Sequence, residues 1–311
     1  MQKNTRFISG GTCLINADSV KARLKISAKQ NGHTLQDELT MYGLERTLYR
    51  ISISKHTNNF TLKGGILLYA LFDGNFTRST TDIDLLARNT HNDIETLSKV
   101  FKDIFMIAAD DALRYDLESF DIHTITEFKE YSGVNISIKA YLDRTKISIS
   151  LDIGFGDVIY PDKKLMDFPV LLDMEAPTIF AYSIESIVAE KFEAFVQLGY
   201  ANSRYKDFYD IYILETTHDF NGLELKQAII ETFKHRKTDF KDIIAFNGDF
   251  AEDTLRQNRW TAFIKKKKAI TPIDFKEAII QIKNFLSPVV DAITYNLDFN
   301  KTWNYLELKW K

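Results

Sequence analysis

The chain has 311 residues, of which 45% are hydrophobic, 13% aromatic and 27% charged, with a formal net charge of −3. This composition can bury a large core and excludes a chain that is disordered over most of its length. It also excludes a polycation that coats nucleic acid by bulk charge, so any contact with nucleic acid must be local.

The N-terminal segment, residues 1–57, is predicted to contain a helix that begins at Thr34, where a hydroxyl cap is followed three residues later by Asp37. Residues 58–182 mix periodicities and predict an α+β core on a small mixed sheet. The predicted elements of this core are an apolar helix over Ile66–Phe72 and strands over Asp82–Leu86, Val134–Tyr141 and Lys146–Phe155.

Residues 183–311 return to helical spacing and predict a helical C-terminal domain. One helix follows Ser183 and ends at Gly199, and Asn221 caps another. The pair Thr271–Pro272 predicts the start of the last helix, because proline suits the first turn. With 13 Gly and 5 Pro the chain has no obvious flexible linker, so the two parts are expected to pack tightly and share a cleft.

The single cysteine, Cys13, can form neither an internal disulfide nor a thiolate metal cluster, which fits a reducing cytosol. The first residues lack the apolar segment and cleavage site of a secretory signal. Nowhere do about 18 apolar residues run together, as a membrane span requires. We therefore expect a soluble cytoplasmic protein with no membrane partner.

The sharpest local motif is the pair Asp82 and Asp84 on a predicted strand. Residues two apart on a strand point to the same side, so the two carboxylates would lie together. Adjacent carboxylates repel each other, and a divalent cation removes that cost. Mg²⁺ suits such a site because it prefers oxygen ligands. The alternative is a pair of exposed strand acids without a metal.

Asp152 lies on a second predicted strand, among Ser148, Ser150 and Gly154 on one face. Small neighbours leave room for a ligand. If this strand pairs beside the Asp82–Asp84 strand, three acids converge in the arrangement that holds metal ions for phosphoryl transfer. The alternative is an isolated acid on the wet face of a sheet.

Lys63, Gly64 and Gly65 open the apolar helix upstream of these acids. Glycines allow backbone N–H groups to approach a phosphate closely, and a helix N-terminus favours negative charge. Taken alone, a glycine pair is a turn.

A group of charged residues falls in the predicted helical domain. Lys191 sits on an otherwise apolar helical stripe, and its ammonium either snorkels outward or points into the cleft. Asp207 and Asp210 share a helix face, and Arg204 and Lys206 supply cations suited to phosphate or to internal ion pairing. Each residue taken singly has a structural alternative.

The order of these elements, a glycine pair, a helix, an Asp-x-Asp strand and a later strand acid, resembles the nucleotidyltransferase superfamily of DNA polymerase beta. More closely, the chain resembles the AbiEii/AbiGii-type nucleotidyltransferase toxins of type IV toxin–antitoxin and phage-defence (abortive infection) loci. The segments that carry this resemblance are LKGGILLYALF, RSTTDIDLL, ISLDIGFGD, VAEKFEAFVQLG and NSRYKDFYDIYIL.

The resemblance implies roles for individual residues. Gly64 and Gly65 match the family's glycine–serine or glycine–glycine motif, and Thr80 matches a position that often holds a serine hydroxyl. Asp82 and Asp84 match the metal-binding acids. One departure is that many members carry Gly-Ser, whereas Gly65 lacks that hydroxyl. The resemblance further assigns triphosphate binding to Lys191 and a late catalytic acid to Asp207 or Asp210.

The implied function is a Mg²⁺-dependent transfer of NMP from an NTP to RNA, at the tRNA 3′ end, with release of pyrophosphate and growth arrest. The implied genetic partner is an antitoxin that is a DNA-binding regulator. A basic segment around Trp260 is a weak candidate for RNA contact, with a solvated lysine run as its alternative. Its cations are Arg256, Arg259, Lys265, Lys266, Lys267 and Lys268.

Two other functions stay open from the sequence. One is nucleotidyl transfer onto a protein side chain, which changes the acceptor and keeps the chemistry. The other is a non-catalytic nucleotide-binding interaction module that keeps the fold.

Overall fold

The computed structural model of the protein describes residues 15–75, 78–88, 90, 92–125, 133–240, 243–266 and 271–311. Cys13, Lys267 and Lys268 lie outside these ranges. Within the described residues, every helix is too short or too polar to pass through a lipid bilayer.

Two helices, α1 (Ala17–Asn31) and α2 (Leu35–Ile53), precede the sheet. The predicted start of α2 is confirmed, because the Thr34 hydroxyl accepts from the backbone N–H of Asp37 and the Asp37 carboxylate accepts from that of Thr34. The earlier helix α1 was not predicted; its N-cap is Asn16. Gly43 of α2 lies directly against the sheet, where a Cβ atom would approach Ile149 to 2.6 Å.

The main sheet is mixed and has seven strands among the described residues, in the order β3-β4-β5-β2-β1-β7-β6. The predicted α+β architecture is confirmed, and the three predicted strands correspond to β2, β4 and β5. The strands are β1 (Phe60–Lys63), β2 (Ile83–Ala87), β3 (Leu113–Ile125), β4 (Gly133–Leu142), β5 (Thr145–Phe155), β6 (Lys164–Asp167) and β7 (Thr178–Ala181).

Strands β2 and β5 lie side by side and run parallel, with Asp84 opposite Asp152. Along β5 the apolar residues of the alternating pattern are buried, and α2 packs on this strand. The polar residues on the other face are partly exposed. This alternation turns the carboxylate of Asp152 away from the core and toward the cleft.

Two helices connect the strands around the acids. Helix α3 (Gly64–Leu71) joins β1 to β2 and buries Ile66 to Ala70. Helix α4 (Ile94–Phe105) begins at the N-cap Asp93, whose carboxylate accepts from the N–H of Thr96, and packs near β3.

The C-terminal part is mainly helical, as predicted. Its first helix follows the cap Ser183 and ends at Gly199 as expected. The predicted start of the last helix at Thr271–Pro272 is wrong, because Asp274 is the N-cap and residues 271–273 are held outside the helix. There the N–H of Thr271 donates to the Tyr209 hydroxyl and the Trp260 indole donates to the carbonyl of Ile273. The helices are α5 (Ile184–Leu198), α6 (Tyr205–Glu215), α7 (Gly222–Arg236), α8 (Gly248–Glu252), α9 (Thr254–Lys266) and α10 (Phe275–Thr294).

A small antiparallel sheet closes the C-terminal part and was not predicted. It consists of β8 (Phe220–Asn221), β9 (Thr302–Asn304) and β10 (Lys309–Trp310). One connected cluster of buried apolar residues extends from α1 to Trp303. The tight packing expected from the sequence is therefore present, while the domain limits at residues 57 and 182 stay predictions.

Candidate active site

Three partly buried carboxylates meet at the cleft side of β2 and β5. Oxygen atoms of Asp82, Asp84 and Asp152 lie within 4.8 Å of one another. The parallel register of β2 and β5 places Asp84 opposite Asp152. Asp82 lies two residues before Asp84, so its side chain points to the same side of the sheet. The acids that the sequence nominated from distant segments thus form one group that could hold a metal ion.

The environment of Asp84 shows that the group is electrostatically costly without a cation. Burial, reinforced by the negative charges of Asp82 and Asp152, raises the pKa of Asp84 to about 6. The positive charges of Lys206 and Lys63 act in the opposite direction, and burial together with the charge of Asp82 outweighs them. A carboxyl with this pKa is mostly ionised at neutral pH, where it is a ligand for hard divalent cations.

Neighbouring polar groups fix two of the acids. The side-chain amide of Asn135 on β4 donates to Asp152 Oδ1 at 2.6 Å and to the hydroxyl of Ser150 at 3.0 Å. The Thr80 hydroxyl donates to Asp82 Oδ1 at 3.3 Å. Each donor occupies one oxygen of its acid and leaves the second oxygen for a ligand.

The glycine turn is built against Asp84. Gly64 has a φ of +70°, and a Cβ atom there would lie 1.7 Å from Asp84 Oδ2. Gly65 faces Thr80 and Arg78, and a Cβ atom there would lie 2.9 Å from the Thr80 hydroxyl. The Thr80 hydroxyl and the Arg78 guanidinium therefore occupy the space in which a serine at position 65 would place its side chain.

Replacing Gly64 by Ala is expected to damage both fold and site. The left-handed backbone conformation costs about 1–2 kcal/mol for an L-residue, and the new methyl group displaces the Asp84 carboxylate. We expect a lower melting temperature and weaker binding of a divalent cation to the three acids, measured by titration. The matched control is Gly32→Ala, because Gly32 has a similar φ of +69° and a Cβ atom there has no neighbour within 4 Å. Equal effects of the two substitutions would contradict this account.

A second cluster, which we call the lysine cluster, consists of Lys191, Asp207, Asp210, Arg78 and Arg204. The ammonium of Lys191 lies 3.0 Å from Asp207 and 2.7 Å from Asp210. Arg78 binds both oxygens of Asp210, at 2.6 and 2.8 Å, and Arg204 lies 2.5 Å from Asp207. The cluster joins the loop before β2 to α5 and α6.

The opposite charges in the lysine cluster keep its buried members ionised. Burial alone would raise the pKa of Asp207 and Asp210, but the adjacent cations hold both pKa values below the ordinary range. Burial opposes the charge of Lys191, and the two carboxylates outweigh it, so the pKa of Lys191 is raised. The lysine cluster contains three cations and two carboxylates, so its net charge is positive.

Lys63, which the sequence nominated for NTP binding, belongs to a different ion network. Its ammonium lies 2.7 Å from Asp157 and 3.3 Å from Glu190. Arg236 at the end of α7 binds Asp157 at 3.0 Å and Glu193 at 2.8 Å. The network ties β1 and the loop after β5 to α5 and α7, so it fixes the cleft wall.

A cleft of about 430 Å³ connects these groups, a size within the range of small-molecule sites. Asp84 and Asp152 lie in its wall between the lysine cluster and the Lys63 network. Of the sequence-nominated residues, the lining includes Lys63, Gly64, Gly65, Asp84, Asp152, Lys191, Arg204, Lys206 and Asp207.

The basic segment of α9 is separate from this cleft. Arg256 donates to the backbone carbonyls of Asn202 and Tyr200 and lies 4.0 Å over the Phe250 ring. Trp260 is 1% exposed, so its ring cannot stack on a base. Arg259, Lys265 and Lys266 are exposed, and none of the described α9 cations lines the cleft.

Sequence reasoning missed several residues of the site. Asn135 was detectable, because β4 alternates polar and apolar residues in the same way as β5. Arg78, Asp157 and Arg236 carried no usable signal, because their partners lie 132, 94 and 43 or more residues away along the chain.

The family model described as nucleotidyl transferase AbiEii toxin, type IV TA system, matches residues 46–281. A crystal structure of a candidate nucleotidyltransferase from H. pylori has 15% sequence identity and a TM-score of 0.47, covering 85% of this chain and 98% of that one. The crystal structure of JHP933 from Helicobacter pylori has 15% identity and a TM-score of 0.44, covering 81% and 90%. No curated protein matches the chain significantly.

Proposed function

We propose, from the premise that the chain belongs to the AbiEii nucleotidyltransferase toxin family, that it moves NMP from an NTP to the 3′ end of tRNA with Mg²⁺. Membership of this type IV toxin–antitoxin family makes the protein a nucleotidyltransferase. The metal, the tRNA acceptor and the resulting growth arrest are the proposal. The observation that carries it is the convergence of three carboxylates beside a glycine turn and a positive cluster.

Asp82, Asp84 and Asp152 would hold Mg²⁺, and their donor set fits that ion because all ligands are carboxylate oxygens. When bound, Mg²⁺ supplies charge neutralisation at the α-phosphate and at the leaving pyrophosphate. Asn135 and Thr80 orient Asp152 and Asp82 for this role through the hydrogen bonds described above.

The triphosphate would lie toward the lysine cluster. The backbone N–H groups at the start of α3 can donate hydrogen bonds to an anion. The net positive charge of the lysine cluster would offset the negative charge of the β- and γ-phosphates. Lys206 is exposed at the same end of the cleft and adds a further cation. In this proposal Asp207 and Asp210 act as positioning residues for Lys191, because both carboxylates are occupied by cations.

The transfer step forms one bond and breaks another. The 3′ hydroxyl oxygen of the acceptor attacks the α-phosphorus, the bond from that phosphorus to the bridging oxygen of pyrophosphate breaks, and the hydroxyl proton leaves to solvent. The chain contributes positioning and charge and forms no covalent intermediate.

The test is an extension assay with labelled NTPs, tRNA and total cell protein as alternative acceptors. We expect label on tRNA, release of pyrophosphate, and loss of both when EDTA removes the metal. Label on protein alone would contradict the RNA acceptor and favour transfer to a side chain. An antitoxin that is a DNA-binding regulator is the proposed genetic partner, and its co-expression should restore growth.

A further inference from the structure

The polar face of the sheet continues beyond the three acids. On β5, Ser150, Ser148 and Lys146 follow Asp152 at two-residue intervals, and the last two are exposed. From Asp152 to Lys146 this face extends about 20 Å at the rise of a strand. We call the face of β3, β4 and β5 between these two residues the outer sheet face.

The register of the strands places matching residues in rows across this face. The row at the acids contains His123, Asn135 and Asp152. The row at the far end contains Arg114, Tyr141 and Lys146. The rows between them carry Asp121, Ser137 and Ser150, then Asp116, Lys139 and Ser148.

The far end of the outer sheet face is basic and aromatic. Arg114, Lys139 and Lys146 are exposed, and the Arg114 guanidinium lies 5.1 Å over the half-exposed ring of Tyr141. Among the residues described, none of these three cations takes part in an ion pair, whereas Lys63, Arg78 and Lys191 in the cleft all do.

Two acids besides Asp152, Asp116 and Asp121, lie on the outer sheet face, and neither is in the far-end row. Asp121 lies 3.3 Å from His123 near the catalytic acids. Asp116 lies beside Lys139, and one of its oxygens accepts from the N–H of Glu118. Arg114 and Lys146 therefore lie in the row farthest from the metal group, Lys139 lies in the next row opposite Asp116, and the hydroxyls of Ser148 and Ser150 line β5 between these rows and Asp152.

We propose that the outer sheet face binds the single-stranded 3′ end of the RNA acceptor. The terminal hydroxyl lies at Asp152, the preceding nucleotides cross the serine rows, and Arg114, Tyr141 and Lys146 contact phosphates and stack on a base. Unpaired cations beside an aromatic ring are the features that single-stranded nucleic acid requires. This inference rests on the proposed function and names the path of its acceptor.

The arrangement also explains why α9 is the weaker candidate for this role. There the aromatic ring is buried and Arg256 is engaged with backbone carbonyls, so the described residues of α9 offer the exposed cations Arg259, Lys265 and Lys266 without an accessible ring from Trp260. The outer sheet face offers both an accessible ring and cations, and it is continuous with Asp152.

The experiment reverses charge at two exposed sites in the full chain, Lys139→Glu with Lys146→Glu. We expect the KM for RNA to rise at least tenfold and the salt dependence of RNA binding to fall by about 1.4 in slope, as for two lost phosphate contacts. The KM for NTP stays unchanged, because the lysine cluster is untouched. The matched control is Lys25→Glu with Lys29→Glu on α1, which makes the same change in net charge at exposed positions.

Two further arms make the outcome decisive. Tyr141→Ala weakens binding of a labelled single-stranded oligoribonucleotide about tenfold, whereas Tyr141→Phe keeps the stacking surface and the affinity. Lys265→Glu with Lys266→Glu tests α9 directly. A larger rise in the RNA KM from the α9 pair than from the sheet pair, or equal oligoribonucleotide affinity in wild type and the Lys139/Lys146 variant, overturns the inference. Absence of RNA extension by the wild type instead rejects the proposed function, and the binding measurement still decides the outer sheet face.

Discussion

Asp84→Asn is expected to reduce nucleotidyl transfer by about 10³-fold while raising the melting temperature of the metal-free protein. The activity falls because the amide removes the charge of a proposed metal ligand beside Asp82 and Asp152. Stability rises because burial and the two neighbouring carboxylates raise the pKa of Asp84 to about 6, so its ionised form opposes folding at neutral pH. At pH values well above that pKa, the substitution should remove an unfavourable contribution of about 3 kcal/mol to the free energy of folding.

The pH dependence follows from the same pKa. The folded protein holds the Asp84 proton more tightly than the unfolded chain, so the contribution of Asp84 to stability falls as pH rises from about 4 to 6. Thermal melts of wild type and Asp84→Asn should therefore differ above pH 6 and converge at acidic pH. Mg²⁺ should raise the wild-type melting temperature above pH 6 and not that of the variant. A variant that melts lower than wild type at every pH would contradict the electrostatic account.

Arg78→Met is expected to destabilise the fold by about 3 kcal/mol or more, because it removes one partner of a buried ion pair. Arg78 and Asp210 are 7% and 0% exposed, and the guanidinium binds both oxygens of the carboxylate. The loss should appear in the free energy of unfolding measured with urea. Lys191 keeps its contact with Asp210, which limits the loss.

The paired substitution separates a structural role from a catalytic one. Arg78→Met with Asp210→Leu removes both charges and should recover most of the stability, because well-packed apolar residues can replace a buried pair. If Asp210 positions Lys191, the double variant folds but has a higher KM for NTP, with unchanged Mg²⁺ stabilisation. Loss of Mg²⁺ stabilisation in that variant would instead place Asp210 at the metal.

The acid group could be predicted from the sequence because it depends on short-range rules. The two-residue period fixes the side to which Asp82, Asp84 and Asp152 point, and only the pairing of β2 with β5 had to be assumed. Likewise, a helix cap depends only on residues within one turn of it. The helix starts predicted at Thr34, Ser183 and Asn221 agree with the structure.

The ion networks could not be predicted, because their partners are set by tertiary packing. Lys63 shows this: next to a glycine turn its charge indicates phosphate binding, yet Asp157 and Glu190 already hold it. Trp260 shows it as well, since an aromatic residue among cations resembles a nucleic-acid groove in sequence but is buried in the structure. Long β3, with its irregularity between Asp116 and Asp121, also lacks a clear periodic signal.

The contact between Gly64 and Asp84 links two events that are usually treated separately. The Asp84 carboxylate lies in the space that a side chain at position 64 would occupy, so it packs directly against the backbone of the turn. We therefore expect nucleotide and metal to bind with positive cooperativity. A nucleotide at the turn and a metal at Asp84 each order one side of this contact, so binding of the first lowers the cost of binding the second.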